Sequence, residues 1–343
     1  MSKLSIMQIL EYLVPTRRSY RFIPVVVLAV IPLFMGDPFF IHFLTLACIY
    51  AIYASSWNLL AYSGQASLGH AAFLGIGGFA SSLLAINFNI SPWIGLLVGG
   101  AISSGIGLLI GITCVRLREW YLAMVTFGFS VIVETIISQF DNIFHGIWGF
   151  RTPILVASGI PFYLVAIIIA VTSILVIYLV MKSKIGLAFR AISENESEAR
   201  MIGIDTTRYK LLAFGISTFF AGLSGALYSY FLRYISISIY VAENSFKPLI
   251  MSIIGGLGTI EGPVIGSIIL VFIETYLPTI DQTLNLLLGG IFVEVSNVGA
   301  PIRMLSIGIF LVMIVLFIPK GVTSLLSRIY GYLNDILGEK RNE

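Results

Sequence analysis

Apolar runs of about twenty residues alternate with short polar stretches along nearly the whole chain, and that alternation is the first structural signal. Pro161 to Met181 carries no charge and meets the roughly 20 residues that a helix needs to cross a hydrocarbon core, and Leu211 to Leu232 meets it again. Further spans are expected at Arg21 to Gly36, Phe39 to Ala61, Trp93 to Val115, Trp120 to Phe140 and Ile302 to Ile318. Tyr62 to Ile86 reads as a span or a broken span, rich in small residues. Phe246 to Gly258 and Pro263 to Tyr276 are short, and form either two crossings or one re-entrant hairpin. Arg233 to Glu243 and Leu277 to Pro301 are expected outside the membrane. The runs lack the period of two that barrel strands show. The expected fold class is therefore all-α integral membrane, a polytopic helical bundle of about eight to ten transmembrane helices in a single domain over 1–343.

Composition agrees: 58% hydrophobic against 11% charged leaves too little polar surface for an ordinary soluble globule. Net charge is only +3, and the basic residues collect in alternate loops, which points to membrane orientation and away from nucleic acid. By the positive-inside rule, the loop from Lys182 to Lys210, Arg116 with Arg118, and both termini are cytoplasmic. Arg17, Arg18 and Arg21 precede an apolar run without a small-x-small cleavage site, so the first span is read as uncleaved. Cys48 and Cys114 lie far apart in apolar segments and imply neither a disulfide framework nor a metal set, and no cofactor is expected. No G-x-x-x-x-G-K-[ST] loop occurs, so ATP-driven work would need hydrolysis on another chain.

The loop KSKIGLAFRAISENESEARMIGIDTTRYK, Lys182 to Lys210, is patterned. Ser193 and Glu196 have the spacing of a capping box, and Glu194, Glu196 and Glu198 crowd a first helical turn where the dipole favours negative charge. Gly203 stands where a left-handed C-cap belongs, and Asp205 offers a cap for the next span. These signals predict a short helix from about Glu194 to Ile202, held as a rigid knob on the membrane surface.

Between Ser63 and Ser82, five glycines and four alanines let a helix approach its neighbours closely, while Gln65, Ser67 and His70 are polar groups that should face protein or water. Helix packing explains His70 alone; lining of a translocation path explains the group. Asn58 and Phe127 are further candidates for that path, although such aromatics are more often packing residues. Glu134 falls near the outer end of its span, as an interface anchor or a polar contact in an outer vestibule. Ser67 and His70 also suggest an intramembrane hydrolase, against which no acidic orienting residue is evident.

SGQASLGHAAFLGIGGFASS resembles the early signature of permeases of the branched-chain amino acid ABC importer family. YLAMVTFGFSVIVE, IIGGLGTIEGPVIGS and FLVMIVLFIPKG resemble the same family in order, over about Asn58 to Gly321. Glu198-Ala199-Arg200, three residues, then Gly203 looks like the EAA-x3-G pattern of ABC-importer permeases, with Arg200 where the general pattern has Ala. The resemblance implies a multi-pass cell-membrane protein that is not itself an enzyme and that works by alternating access. Arg190, Ser193, Glu194, Glu196, Glu198, Ala199 and Gly203 would then couple it to ATP-binding cassette ATPase subunits. It further implies a second permease subunit, unlike or identical, and an extracytoplasmic substrate-binding protein. Urea, amides, sugars and nucleosides remain alternative substrates, and an ion-coupled secondary transporter is the alternative of another class.

Overall fold

The computed structural model describes residues 37–115, 117, 119–144, 148–288, 308 and 321–324. The expected first span, both termini and, apart from residue 308, the expected last span lie outside them. The face bearing Lys182 to Lys210 is called inner here, after its basic residues.

Helix α1, Pro38–Tyr62, starts where Asp37 accepts a hydrogen bond from the Phe39 N–H and Pro38 presets the first turn. It runs inward. An irregular stretch, 63–69, precedes α2, His70–Asn87, which runs outward, and α3, Pro92–Cys114, returns. Helix α4, Glu119–Gln139, leads to the outer side, where α5, Asp141–Phe144, and β1, Phe150–Arg151, form part of the loop. Helix α6, Ile160–Lys182, comes back to the inner-face pair α7, Lys184–Glu194, and α8, Glu196–Met201. Helix α9, Thr206–Leu232, goes outward, β2, Tyr234–Ile235, pairs antiparallel with β1, and α10, Ala242–Gly255, and α11, Glu261–Leu288, complete the described chain. Six helices among the described residues, α1, α2, α3, α4, α6 and α9, are long and apolar enough to cross a membrane.

Burial separates two groups. The most apolar windows of α1, α2 and α9 are 72% buried, whereas those of α3, α4 and α6 are 33 to 39% buried, so the first three form the interior and the others present apolar faces to lipid. Small residues make the interior possible. A Cβ on Gly225 of α9 would sit 1.8 Å from the Leu74 carbonyl oxygen of α2, and one on Gly77 would sit 2.1 Å from that of Gly222. Hydroxyls tie the same helices: Ser103 Oγ donates to the Phe73 and Thr218 carbonyls at 3.0 and 2.9 Å, and Ser81 and Tyr230 share a hydrogen bond of 2.8 Å.

One expectation needs correction. Arg233 to Glu243 does not stay outside. Its residues Ile237–Tyr240 form a 3-10 turn whose Tyr240 ring stacks on Phe79 of α2, and the Tyr53 hydroxyl of α1 donates to the Asn244 carbonyl at 2.9 Å. Tyr53 lies fifteen residues into α1, so α10 begins about 22 Å below the outer end at 1.5 Å per residue. Helix α10 has 14 residues and covers only the inner half of the crossing; the irregular stretch before it covers the outer half. Helix α11 runs outward past Phe43, which meets Phe272, to Phe39, which meets Tyr276. The two short runs are thus two crossings, and Leu277 to Leu288 continues α11 as helix past the level of Phe39, on the outer side where it was expected.

The close α2–α9 contact yields a paired test. Gly225→Ala should lower thermal stability in detergent by about 1–3 kcal/mol through overpacking, while Gly105→Ala, where an added Cβ meets nothing within 4 Å, should not. Equal unfolding temperatures for the two variants would contradict the packing described.

Candidate functional site

The inner-face knob is two helices, not one. Helix α7 continues through Ser193 to Glu194, with Gly186, Ala188, Phe189 and Ile192 buried on one face. The helix predicted for Glu194 to Ile202 is the shorter α8, and its N-cap is Asn195, whose Oδ1 accepts from the N–H groups of Ser197 and Glu198 at 3.1 and 3.3 Å. The Ser193–Glu196 capping box does not form. Asn195 Nδ2 also donates to Glu198 Oε1 at 2.6 Å, a side-chain contact, while the Asn195 N–H donates to the Ala191 carbonyl. Ser193 packs against the turn at Gly64, where an added Cβ would lie 3.0 Å from Ser193 Cα.

Glu196 is thereby freed for another task. Its carboxylate accepts from Arg200 Nη2 at 2.8 Å and Thr206 Oγ1 at 3.2 Å, and it forms a short ion pair with the Lys210 ammonium. The Lys210 side chain is only 10% exposed, so this contact is far better shielded than the Arg190–Glu194 pair, whose side chains are 66 and 68% exposed and which contributes little. Burial pushes the Glu196 carboxyl up, but the Lys210 hydrogen bond and charge, with Thr206 and Arg200, outweigh it and hold its pKa below the usual range. Ala199 is buried, and its carbonyl accepts from the Ile204 N–H at 3.0 Å. Gly203 adopts φ +89, with open space where a Cβ would be, so glycine is required there for backbone conformation alone. Asp205 caps α9 as expected, accepting from the Arg208 N–H at 3.1 Å. Beyond these caps, Leu187, Met201 and Ile202 project outward at 66, 78 and 75% exposure.

Above the knob lies a cavity of about 310 Å³ lined by Gln65, Leu117, Trp120, Ser193, Glu196 and Lys210, among others. Gln65 is buried there. Its Nε2 donates to the Lys210 carbonyl and to Ser63 Oγ, both at 2.9 Å, while its Oε1 has no partner. Ser67 sits in the irregular stretch, not on a helical face with His70; its Oγ accepts from the Gly69 N–H at 3.3 Å and its carbonyl accepts from Trp57 Nε1 at 2.7 Å. His70 is fully buried at the start of α2, with Nε2 3.1 Å from Ser217 Oγ and 3.4 Å from Ser56 Oγ. No Ser67–His70 hydrogen bond links the two, which removes the geometric basis of a hydrolase.

The other path candidates scatter. Asn58 latches the turn between α10 and α11, donating to the Thr259 carbonyl at 2.7 Å and accepting from the Gly258 N–H at 2.8 Å. Phe127 is half-buried with its ring 6.1 Å from that of Phe246 on α10. Glu134 is half-buried five residues before the end of α4, about 8 Å along the axis, and does not join the others.

A polar group that sequence reasoning missed lies on α10 and α11. Lys247 Nζ is 3.8 Å from Glu243 Oε1 and 3.3 Å from Glu274 Oε1, and stands 5.5 Å over the Tyr50 ring. Glu243 and Lys247, four apart, were a readable signal. Glu274, twenty-seven residues further, was not.

The latch makes a pH prediction. Because the folded-state pKa of Glu196 is depressed, its contribution to stability is present at neutral pH and is lost as pH falls through that lowered value. Thermal unfolding of wild type and Glu196→Gln should differ most at neutral pH and converge on acidification below about pH 4, near the ordinary glutamate value. A gap that stayed constant with pH would rule the latch out as described.

The sequence has counterparts among known proteins. A family model described as a branched-chain amino acid transport system permease component matches residues 39–318. The high-affinity branched-chain amino acid transport system permease protein LivM of Salmonella typhimurium is 29% identical over 280 residues, 73% of this chain and 66% of its own length. That of Escherichia coli is 28% identical over 302 residues, 79% of this chain and 71% of its own length. A probable branched-chain amino acid transport permease protein LivM of Methanocaldococcus jannaschii is 24% identical over 270 residues, 73% of this chain and 77% of its own length. No solved structure matches. The apolar helices and these similarities make the chain a multi-pass protein of the cell membrane, and a transport component in place of an enzyme. With most of its length matched, the chain belongs to the family of branched-chain amino acid transport system permease components.

Proposed function

We infer that the chain is the membrane-spanning permease subunit of an ABC importer that carries branched-chain amino acids, driven by separate ATPase subunits. The observation that carries this reading is the cytoplasmic knob. Asn195, Gly203 and Asp205 hold α8 rigidly, and Met201 and Ile202 stand almost fully exposed at its tip. Large apolar side chains placed on a capped, charged surface mark a contact for another protein. Glu194 and Glu198 flank them and add charge to the rim.

The knob is also tied to the membrane part. Glu196 holds Lys210 at the base of α9, and the Lys210 carbonyl holds Gln65 in the irregular stretch that leads into α2. Movement of α8 by an ATPase subunit therefore bears on α9 and on the interrupted segment together. For ATP to drive alternation, it must bind one conformation of the complex more tightly than the other. The chain is read as one membrane domain, paired with a second permease subunit, unlike or identical, and supplied by an extracytoplasmic binding protein. The names of the three relatives support branched-chain amino acids over urea, sugars or nucleosides.

Met201→Asp with Ile202→Asp should abolish co-purification of the ATPase subunit and reduce leucine uptake by about tenfold or more, with the unfolding temperature of the permease unchanged. Docking and uptake that both survive would refute the knob as handle. Valine and isoleucine should compete with leucine uptake, and urea should not.

A further inference from the structure

The Glu243, Lys247 and Glu274 cluster takes no part in the coupling just described. It lies at membrane depth: Lys247 stands over Tyr50, twelve residues into α1 and about 18 Å from its outer end. The three side chains are 31, 12 and 18% exposed, so they are shielded without being sealed. Charges at this depth are costly in hydrocarbon and persist where they face protein or a water-filled cavity.

Backbone beside the cluster makes the same point independently. Ser238 and Val241 are exposed in and after the 3-10 turn that leads to α10, and no side chain caps the α10 N-terminus. Non-helical backbone at membrane depth does not face lipid. The α10 face is therefore wet or protein-covered, and two different features, ionic side chains and a break in regular helix, converge on it.

The charge pattern narrows the ligand. One ammonium answers two carboxylates, so a ligand that brings its own cation finds a waiting partner. A zwitterion goes further, because its ammonium can pair with the carboxylates while its carboxylate takes the lysine. Every charge then stays paired, and the internal ion pair is exchanged for two external ones. A neutral ligand has nothing to exchange. We propose that Glu243, Lys247 and Glu274 form a transient site for the charged head of a free α-amino acid, with the two carboxylates on its α-ammonium and Lys247 on its α-carboxylate. The site rests on the importer reading above and adds where the substrate is held on its way through.

The test uses the complete complex in proteoliposomes, with leucine as the probe. Glu243→Gln and Glu274→Gln should each cut initial uptake by about tenfold or more, the loss expected for a charge-assisted hydrogen bond, while ATP hydrolysis and unfolding temperature hold. The charge-swapped double variant Lys247→Glu with Glu274→Lys keeps an ion pair and carries the test if the glutamine variants misfold. It should still fail to transport. Uptake restored by the swap would show a purely structural pair and overturn the proposal, as would unchanged uptake in both glutamine variants. Wild-type uptake that follows a sodium or proton gradient would assign the cluster to a coupling ion and overturn it too. A wild-type complex that moves no leucine at all would instead sink the importer reading, before any variant is made.

Discussion

Hydrocarbon offers no hydrogen bonds, so every backbone N–H and C=O at membrane depth must find a partner inside the protein, and among the described residues the helices are interrupted at 63–69 and 236–241 in spite of that. Both interruptions are placed where the protein closes around them. At 63–69, the Ser67 carbonyl takes the Trp57 indole, the Leu68 N–H takes Thr126 Oγ1 and the Gly69 N–H takes Ser67 Oγ. At 236–241, the Ile239 and Val241 N–H groups take the Ser236 and Ser238 carbonyls. The helices that follow meet each other: the Ala71 N–H of α2 donates to Ser245 Oγ of α10 at 3.3 Å. Most of the small residues in α2 and α9 follow from this, since backbone that close to backbone leaves no room for a Cβ.

The interruptions also explain why a surface knob could matter. A continuous helix passes a push along its own axis. An interrupted one is held by side chains, and those holding 63–69 reach the inner face within two residues of contact: Gln65 on the Lys210 carbonyl, then Lys210 on Glu196 of α8. Ser193 against Gly64 adds a steric contact at the same place. Such a contiguous set of packed and ion-paired groups can carry a displacement, provided each member has two arrangements.

Much of the fold was legible because the bilayer imposes one rule on all spans. Phe39 to Ala61, Trp93 to Val115 and Pro161 to Met181 were each read within a residue or two of the helices found, and Gly203 and Asp205 occupy the cap positions expected of them. What failed was decided by distant partners. Ser193–Glu196 and Asn195–Glu198 are overlapping capping patterns; Asn195 takes the cap, and the Glu196 carboxylate is engaged by Lys210, Arg200 and Thr206. Arg233 to Glu243 reads as an outer loop because its serines and charge suit water; its descent depends on Phe79 and Gly75 receiving the Tyr240 ring. Asn58, read as a path residue, instead closes the α10–α11 turn two hundred residues away, a contact no local pattern announces.

Direction along the membrane adds a last constraint. Helix α1 runs inward, an irregular stretch follows, α2 runs outward and α3 returns; α9 runs outward, an irregular stretch follows, α10 runs inward and α11 returns. The order of parts is the same and the sense is opposite, as in transporters built from inverted repeats, whose interrupted helices meet near the midplane. The meeting of Ala71 with Ser245 is that point here. Short glycine-rich segments such as LGHAAFLGIGGFA and GGLGTIEGPVIG are poor guides to such a relation, because they align by composition while the structural counterparts are the helix starts at His70 and Ala242. If the two halves move as near-rigid units about that junction, opening toward one side and closing toward the other are one motion. The ionic cluster on α10 and α11 then belongs wholly to one half, and the Gln65–Lys210 hydrogen bond, next to the Glu196 latch, spans both.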